Sequence, residues 1–298
     1  MTHNFDIVIL TDDRYVTPSN RDEQYIRNLL LEDQLVQKSL ENRGFRVDRK
    51  SWSDPTFNWA TTKAVLFRTT WDYFERYSEW TTWLKNTSSV TRMINPYELV
   101  KWNMDKHYLG DLFRKGINIP ETHFIEVGEQ NTLTELIARK DWQKAILKPC
   151  FSGAARHTYK IEEKISDDLE NTFQELIARE AMMLQPFQEN VVKQGEVSLM
   201  VMGGRFTHAV LKVAKPGDFR VQDDFGGTVH KYTPTSEEIT FAEKTVAACD
   251  PFPNYARVDI IKDNNNKLAL IELELIEPEL WFRMNPEAAD MLAENLVL

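Results

Sequence analysis

The amino-acid sequence predicts an α/β protein whose first part contains a parallel sheet. A short apolar strand at residues 5–10 is followed by apolar residues at helical spacing from Ile26 to Leu40, and Gly44 ends this helix. Two further strands are predicted at residues 45–47 and 64–67. Strands and helices that alternate in this way are typical of βαβ units. In open α/β sheets, ligands bind beyond the carboxyl ends of the strands.

Polar and aromatic residues follow two of the predicted strands at those ends. The first strand runs into Thr11-Asp12-Asp13, and the strand at 64–67 runs into Arg68-Thr69-Thr70-Trp71-Asp72-Tyr73. We therefore predict substrate-binding loops that contain Asp12, Arg68, Trp71, Asp72 and Tyr73. For any one of these residues, an ordinary surface loop is an equally good interpretation.

The second part of the chain begins at Asn95-Pro96. The sequence predicts one helix from Tyr97 to about Arg114, ended by Gly116 and Pro120. Strands at 122–127, 145–147, 158–161 and 181–184 and helices at 133–139 and 169–178 follow. Gln185-Pro186-Phe187 interrupts the pattern and is interpreted as a linker.

The last part predicts two β-hairpins joined by a helix at 237–248. The first hairpin pairs residues 196–201 with 205–213 through Gly203-Gly204, and the second pairs 255–261 with 267–276 through an Asn-rich turn.

Three acidic residues dominate the second hairpin. Side chains alternate along a strand, so Glu272 and Glu274 are predicted to share one face and Ile271 the other. A turn with an even number of residues would place Arg257 and Asp259 on the acidic face. Carboxylates this close repel each other, and an all-oxygen set favours a hard cation such as Mg²⁺. The alternative is a solvated acidic face on an edge strand.

Composition excludes several classes of protein. The chain has 298 residues and a net charge of −10, which argues against nucleic acid or an anionic membrane as the main partner. No apolar run is long enough to span a bilayer, and the start does not resemble a signal peptide. The two cysteines fit a reducing compartment, so a cytoplasmic protein is expected. We interpret Cys150 as a small buried residue and His107 as structural.

Basic residues at three places could meet an anionic ligand. Lys148 ends a strand and precedes a loop of small residues that includes Ser152, Lys106 lies in a helix, and Arg220 lies in a loop before Gly226-Gly227. Small residues let backbone N–H groups approach phosphate oxygens. Each of these basic residues, taken singly, is better explained as structural than as functional.

Together, in this order and spacing, these residues resemble the ATP-grasp superfamily over residues 95–280. The resemblance implies an ATP-grasp fold with an N-terminal Rossmann-like pre-ATP-grasp domain at residues 1–115. It further implies a small lobe at 116–186 and a catalytic lobe at 187–298.

The resemblance also implies roles for single residues. Lys106, Lys148 and Ser152 would bind the phosphates of ATP, Gln185 and Phe187 the adenine, and Glu196 the ribose. Two Mg²⁺ ions would be held by Asp259, Glu272 and Glu274. The implied catalytic residues are Arg220, Lys148 and Gln222.

Within the superfamily the chain is most similar to the prokaryotic glutathione synthetase and RimK-like group. It shares with the branch of the O-ureidoserine cyclo-ligase the motifs Trp-Asp-Tyr, Gly-Asp-Phe-Arg-Val-Gln and Glu-Leu-Glu-Leu-Ile-Glu-Pro. Ser198 stands where glutathione synthetases place a substrate-binding Arg, which argues against glutathione chemistry and makes Ser198 a candidate substrate residue.

The implied activity is that of an ADP-forming carboxylate–amine ligase that acts through an acyl phosphate. Its partners would be small-molecule carboxylate and amine substrates of an amino-acid-like or peptide kind, and a homodimer is expected by analogy. Two alternatives remain open from the sequence. One is a nucleotide-binding module without catalysis, and the other is a carboxylate-based hydrolase that uses Glu272 and Glu274.

Overall fold

The computed structural model describes residues 3–21, 23–140, 142–153, 155–162, 164–221 and 226–296, and it confirms the mixed α/β class. The strands are β1 Phe5–Thr11, β2 Val47–Ser51, β3 Thr62–Thr69, β4 Arg92–Ile94, β5 His123–Ile125, β6 Ala145–Pro149, β7 Tyr159–Ile161, β8 Met182–Pro186, β9 Glu196–Met202, β10 Arg205–Val213, β11 Thr228–Tyr232, β12 Tyr255–Lys262 and β13 Leu268–Glu274. The α-helices are α1 Asp13–Val16, α2 Gln24–Asn42, α3 Tyr77–Ser88, α4 Tyr97–Asn103, α5 Tyr108–Arg114, α6 Leu133–Ala138, α7 Asp167–Ile177, α8 Glu189–Gln194, α9 Ser236–Ala247 and α10 Glu287–Glu294.

The first sheet is parallel and has the strand order β2-β1-β3-β4. Alternating residues of β1 pack on opposite faces: Ile7 and Ile9 join α2 in one apolar cluster, and Val8 and Leu10 join Trp80 of α3 in another. This is the predicted βαβ arrangement, with a helix on each face. The carboxyl ends of β1 and β3, at Thr11 and Thr69, face the rest of the molecule.

The second sheet has the order β5-β8-β6-β7, with antiparallel neighbours, and helices α6 and α7 pack on one of its faces. Ala145 and Leu147 of β6 belong to this apolar layer. Ile146 and Lys148 alternate with them and therefore project from the other face. Gln185 is directly opposite Ile146 in the register and shares that face.

The third sheet is antiparallel, in the order β11-β10-β9-β12-β13. Its apolar face packs on α5 and α9 through residues such as Leu199, Val258 and Leu273. The edge strand β13 is covered by the preceding helices, because Asn103 donates to the Leu273 carbonyl at 2.8 Å and accepts the Leu275 N–H at 2.9 Å. This protects an edge that would otherwise be open to pairing with another strand.

The predicted helix at 97–114 is two helices, and this expectation was wrong. Asn103, at the end of α4, forms its hydrogen bonds with β13 rather than with a longer helix. Lys106 follows in a turn, and its backbone N–H donates to the Cys150 carbonyl at 2.8 Å. The break therefore aims Lys106 at the end of β6.

Two other expectations need correction. The strand predicted at 45–47 begins at Val47 and continues to Ser51. Gln185 and Pro186 were interpreted as a linker, but both continue strand β8. Helices α1, α3, α8 and α10 and strands β4 and β11 had no sequence-based prediction. Each of the three sheets is formed by strands from one of the segments 1–115, 116–186 and 187–298, and these lobe boundaries remain a prediction.

Among the described residues, no helix has both the length and the apolar character needed to cross a membrane.

Candidate active site

One face of the third sheet carries charged side chains on four adjacent strands. Residues directly opposite each other in neighbouring strands share a face, and here the opposed pairs are polar. The pairs are Lys212 with Glu196, Asp259 with Ser198, Asp259 with Glu272, and Arg257 with Glu274. The prediction that Arg257 and Asp259 share the face of the two glutamates is therefore confirmed.

A register shift, and not an even turn, produces this arrangement. Lys262 pairs with Leu268, which leaves five residues, 263–267, in the turn. The register shifts between Asp259 and Ile260, and such a bulge inserts one extra residue into a strand. Ile271 was expected on the face opposite Glu272, and this expectation was wrong. Its side chain lines the same cavity as Glu272 and packs in the apolar cluster that contains Ile261. The bulge is the reason, because it breaks the strict alternation of side chains.

The three acids form a compact oxygen cluster. One carboxylate oxygen each from Asp259, Glu272 and Glu274 lies within 4.8 Å of the others. Carboxylates in this number and spacing suit a hard divalent cation, so the residues present fit Mg²⁺.

Basic side chains offset the negative charge of the cluster. Arg257 Nε donates to Asp259 Oδ1 at 3.0 Å, and Arg257 also pairs with Glu274. Lys212 Nζ lies 2.9 Å from Asp259 Oδ2, and Lys106 Nζ lies 3.1 Å from Glu272 Oε1. Each of the three acids therefore has a cationic partner.

The buried acids of the site differ in the direction in which their pKa values are shifted. Burial disfavours the ionised form of Asp259, but Arg257 and Lys212 outweigh it, so the pKa of Asp259 lies well below its usual range. The same balance, with Lys106 and Lys148 as partners, lowers the pKa of Glu272. For Glu274 burial wins and raises the pKa to about 7, and burial raises that of Glu277 to about 8.

The two predicted phosphate lysines enter the same cavity from different elements. Lys148 projects from β6, and Lys106 projects from the turn after α4 and donates to the Ser152 carbonyl at 2.8 Å. Burial lowers the pKa of Lys148, which Glu272 partly offsets. Burial also disfavours the charged form of Lys106, but the nearby Glu272 carboxylate outweighs this effect and raises the pKa of Lys106. The structure thus brings both lysines and the acidic cluster together.

The cavity has a volume of about 450 Å³ and lies between the second and third sheets. Part of it is a mainly apolar slot, lined by Ile146, Phe187, Val191, Val221 and Ile271, and the last three of these pack in one apolar cluster. Such a slot matches the flat, weakly polar shape of an aromatic base. The predicted adenine residues Phe187 and Gln185 both line the cavity, and Gln185 also donates to Thr122 Oγ1 at 2.8 Å.

Lys212 is a site residue that the sequence analysis missed. It is 5% exposed, lines the cavity, and contacts the carboxylates of Glu196 and Asp259. Glu196, the predicted ribose ligand, lines the same cavity, and burial raises its pKa to about 7. A lysine inside the apolar run Val-Leu-Lys-Val, on the same face as Glu196 across the hairpin, was the signal that could have revealed it.

The two predicted phosphate loops also reach the cavity. Ser152 and Gly153 line it, and Gly153 is so close to the Phe74 ring that an added Cβ would lie 2.8 Å from it. Arg220 lines the cavity and donates to Asp218 Oδ2 at 2.7 Å. Gln222 lies outside the described residues.

The first sheet contributes the remaining wall of the cavity, where the predicted substrate residues separate into two groups. Trp71 and Tyr73 line the cavity, and Trp71 Nε1 donates to the Glu277 carbonyl at 2.9 Å. Further residues of this wall were not predicted, since they come from separate segments that only the fold brings together. Among them are Arg14, Tyr15, Tyr25, Phe74, Glu75, Glu277 and Glu279.

The other predicted substrate residues are not among those that line the cavity. Asp12 accepts the Arg14 N–H at 2.9 Å at the start of α1, and Asp72 accepts Trp52 Nε1 at 2.7 Å. Arg68 is buried, and it donates to the Pro278 carbonyl at 3.1 Å. Ser198 is buried beside Asp259 in the centre of the third sheet. The contacts of Asp12, Arg68 and Asp72 hold loops in place.

Comparison with known proteins agrees with this architecture. Residues 7–95 match the family model described as D-cycloserine synthetase DcsG, N-terminal domain. Residues 105–277, more than half of the chain, match the model described as RimK-like ATP-grasp domain.

Individual relatives are similar over most of the chain. The cycloserine biosynthesis protein DcsG of Streptomyces lavendulae is 27% identical over 271 residues, which are 85% of this chain and 88% of that protein. The crystal structure of D-cycloserine synthetase DcsG superposes with a TM-score of 0.81 at 25% identity, over 97% of this chain and 98% of the other. The D-alanine–D-alanine ligase from Bacillus anthracis shares the fold, with a TM-score of 0.65 at 13% identity over 97% of this chain and 95% of the other. The chain therefore belongs to the RimK-like ATP-grasp family, whose members are ATP-dependent ligases that form C–N bonds.

Proposed function

We propose that the protein is an ADP-forming carboxylate–amine ligase that activates a small amino-acid-like or peptide substrate as an acyl phosphate. One observation carries this proposal: Lys106, Lys148, Glu272 and Glu274 line a single cavity, and the buried Asp259 belongs to the same oxygen cluster as the two glutamates. A base-sized apolar slot and a polar, aromatic wall are both part of this cavity. ATP in the slot would thus extend its triphosphate past the lysines toward a substrate on the far wall.

The charged residues of the cavity have distinct tasks in this proposal. Lys106 and Lys148 offset the charge of the ATP phosphates, and Arg220, on the loop at the cavity mouth, meets the phosphoryl group as it is transferred. Asp259, Glu272 and Glu274 would hold Mg²⁺, two ions in our proposal, which when bound neutralises phosphate oxygens. Burial raises the pKa of Glu274, and a bound Mg²⁺ would lower it again because the cation stabilises the ionised carboxylate.

The reaction proceeds in two steps. A substrate carboxylate oxygen attacks the γ-phosphorus, the bond to the bridging β–γ oxygen breaks, and ADP leaves. The amine nitrogen then attacks the acyl carbon, phosphate leaves, and the nitrogen loses a proton to give the amide. The protein contributes mainly by positioning the groups and compensating charge, as in other phosphoryl transfers.

The wall formed by the first sheet supports a substrate with an ammonium group. Tyr15 and Tyr25 pack on Trp71 with ring centroids at 5.7 and 6.2 Å. Carboxylates of Glu75 and Glu279 line the same cavity; Glu279 also pairs with Arg283, and the Arg14 guanidinium lies 5.3 Å from the centroid of the Tyr15 ring. Aromatic faces and carboxylates both attract ammonium groups. The similarity of the chain to a cycloserine biosynthesis protein also favours a small amino-acid-like substrate. We expect the reaction to take place in the cytoplasm, where ATP is present.

A coupled assay tests this function. ADP release is measured with Mg²⁺ and ATP across a panel of amino acids and short peptides, and hydroxylamine is added to trap an acyl phosphate as a hydroxamate. We expect one substrate class to give both ADP and hydroxamate, and Lys148→Ala to abolish both. Lys144→Ala is the matched control, because Lys144 lies just before β6 and pairs with Glu189 on the surface.

Three results would overturn the proposal. Nucleotide binding without any substrate-dependent ADP would identify a non-catalytic module. Hydrolysis of a substrate without nucleotide would identify a carboxylate-based hydrolase. Full ADP release by Lys148→Ala, folded as judged by circular dichroism, would remove the assigned phosphate site.

A further inference from the structure

A second group of potential metal ligands lies outside the cavity wall, next to Lys106. It consists of Asp105 and His107 in the turn between α4 and α5 and of Cys150 at the end of β6. A carboxylate oxygen, a ring nitrogen and the thiol sulfur all lie within 4.8 Å of one another. The chain separates Cys150 from the other two, so only the fold brings the three together.

We infer that Asp105, His107 and Cys150 form a binding site for a borderline transition-metal cation such as Zn²⁺. The ligand types carry this assignment, because thiolate and imidazole select Zn²⁺-like ions and the oxygens of Asp259, Glu272 and Glu274 select hard ones. The two sites would thus bind different metals: a Zn²⁺-like ion at the thiol and imidazole ligands, and Mg²⁺ at the carboxylate oxygens. This site is separate from the proposed ligase function and does not depend on it.

The geometry is close to what such an ion requires. Metal–ligand bonds of about 2.0–2.3 Å in a tetrahedral site place the ligand atoms roughly 3.3–3.8 Å apart. The present separations are therefore within about 1 Å of that arrangement, which side-chain rotation can supply. The side chain of Asp105 is 54% exposed and that of His107 33%, so an ion and a completing water can enter from solvent.

A second shell already orients the imidazole. His107 Nδ1 is hydrogen bonded to Asp105 Oδ1 at 2.6 Å, on the ligand side, and Nε2 lies 3.1 Å from Glu126 Oε1. The ring also stacks on Phe124 with centroids 4.4 Å apart. A carboxylate on the second ring nitrogen is the usual support for a metal-bound histidine.

An ion at this position would act on the neighbouring phosphate site. Lys106 lies between two of the ligands in sequence, and its backbone N–H donates to the carbonyl of the third, Cys150, at 2.8 Å. The metal would therefore tie the turn that carries Lys106 to the end of the strand that carries Lys148. Occupancy would hold the two phosphate lysines at a fixed separation.

Cobalt absorption tests the site without any assay of activity. Co²⁺ is titrated into the chelator-treated protein in excess Mg²⁺, which occupies the all-oxygen cluster. We expect a thiolate-to-cobalt charge-transfer band that saturates at one ion per chain and disappears when Zn²⁺ is added, because Zn²⁺ binds more tightly than Co²⁺. Glu126→Gln should weaken Co²⁺ binding about 10-fold or more.

Matched cysteine variants test whether Cys150 supplies the thiolate ligand. Cys150→Ser should lose the band, while Cys249→Ser should keep it, and both cysteines are buried. If Cys150→Ser does not fold, His107→Gln serves, because His107 is near the surface and its loss should also weaken binding. No band in the native protein, or a band that survives Cys150→Ser or is unaffected by His107→Gln, would overturn the inference and leave a hydrogen-bonded Asp–His–Glu arrangement.

Discussion

The ammonium group of Lys212 lies 2.9 Å from Asp259 Oδ2, and both side chains are almost completely buried. The same ammonium contacts the carboxylate of Glu196, so one cation serves two acids on adjacent strands. Burial disfavours an ionised Asp259, and Arg257 and Lys212 are the groups that outweigh it and lower the pKa of Asp259. All three residues lie on strands of the third sheet, so the sheet itself supplies the charges that keep this acid ionised.

Lys212→Met should destabilise the metal-free protein. The change leaves two buried carboxylates with less positive charge, and removing one partner of a buried pair costs about 3–5 kcal/mol. We expect the free energy of unfolding, measured by urea denaturation in EDTA, to fall by about 3 kcal/mol. Mg²⁺ should restore part of the loss, because the carboxylates then gain a new cation.

Lys231→Met is the control for this measurement, since Lys231 is exposed on the adjacent strand β11. It should change stability by no more than about 0.5 kcal/mol. Equal stability of Lys212→Met and the native protein in EDTA would show that the buried contact makes no net contribution.

The stability of the metal-free protein should decrease as the pH rises from about 5 to about 8. Burial raises the pKa of Glu274 and Glu196 to about 7 and that of Glu277 to about 8, above the value near 4.5 expected in the unfolded chain. A carboxyl with a raised pKa in the folded state stabilises the fold while protonated, and this contribution is lost as the proton leaves. Because the groups interact and titrate together, we expect one net proton to be involved, which corresponds to a slope of roughly 1 kcal/mol per pH unit.

Urea denaturation at several pH values, with EDTA or with Mg²⁺, checks this expectation. Mg²⁺ should flatten the profile, because a bound cation favours the ionised carboxylates. Glu277→Gln should reduce the slope in EDTA, since that residue then has no proton to lose. A metal-free protein that becomes more stable between pH 5 and 8 would contradict the prediction.

Much of the fold follows from local signals in the sequence. The βαβ unit, the hairpin through Gly203-Gly204 and the Asn-rich hairpin depend on periodicity and turn chemistry, and the structure contains all three. The break after Asn103 was not predictable in this way. It depends on hydrogen bonds from Asn103 to β13, which is about 170 residues away in the chain.

Some residues of the candidate site could be predicted from the sequence and others could not. The acids, Lys106 and Lys148 were found because their residue types and order form a recognisable pattern. Lys212 was missed because a single lysine in an apolar strand gives a weak signal without its cross-strand partner. The bulge that turns Ile271 toward the cavity is a matter of register, which strict alternation does not predict.

Gly153→Val should weaken ATP binding by displacing the loop after β6. A side chain at this position would overlap the Phe74 ring, because even a Cβ atom would lie 2.8 Å from it. The loop also supplies the Ser152 carbonyl that accepts from Lys106. A shift of about 1 Å at such a site can cost up to 10²-fold in rate, and we expect the KM for ATP to rise at least several-fold.

The compensating change Phe74→Ala tests the cause. It removes the ring that the valine side chain would meet, so Gly153→Val with Phe74→Ala should recover ATP binding relative to Gly153→Val alone. Phe74→Ala by itself should have the smaller effect of the two single changes. If the double variant is no better than Gly153→Val, the loop is not positioned by this contact.

Trp71→Ala should impair substrate binding and spare ATP binding. Trp71 lies on the wall opposite the apolar slot, where it packs against Tyr15 and donates to the Glu277 carbonyl at 2.9 Å. Loss of the ring removes the aromatic surface that we assign to the ammonium group, so the KM for the amine-bearing substrate should rise about 10-fold or more. Trp71→Phe keeps a smaller aromatic ring and loses the N–H, and the KM for the same substrate should rise only a few-fold. The affinity for a non-hydrolysable ATP analogue, measured by calorimetry, should stay within about twofold for both variants, and an equal loss of ATP affinity would place Trp71 with the nucleotide instead.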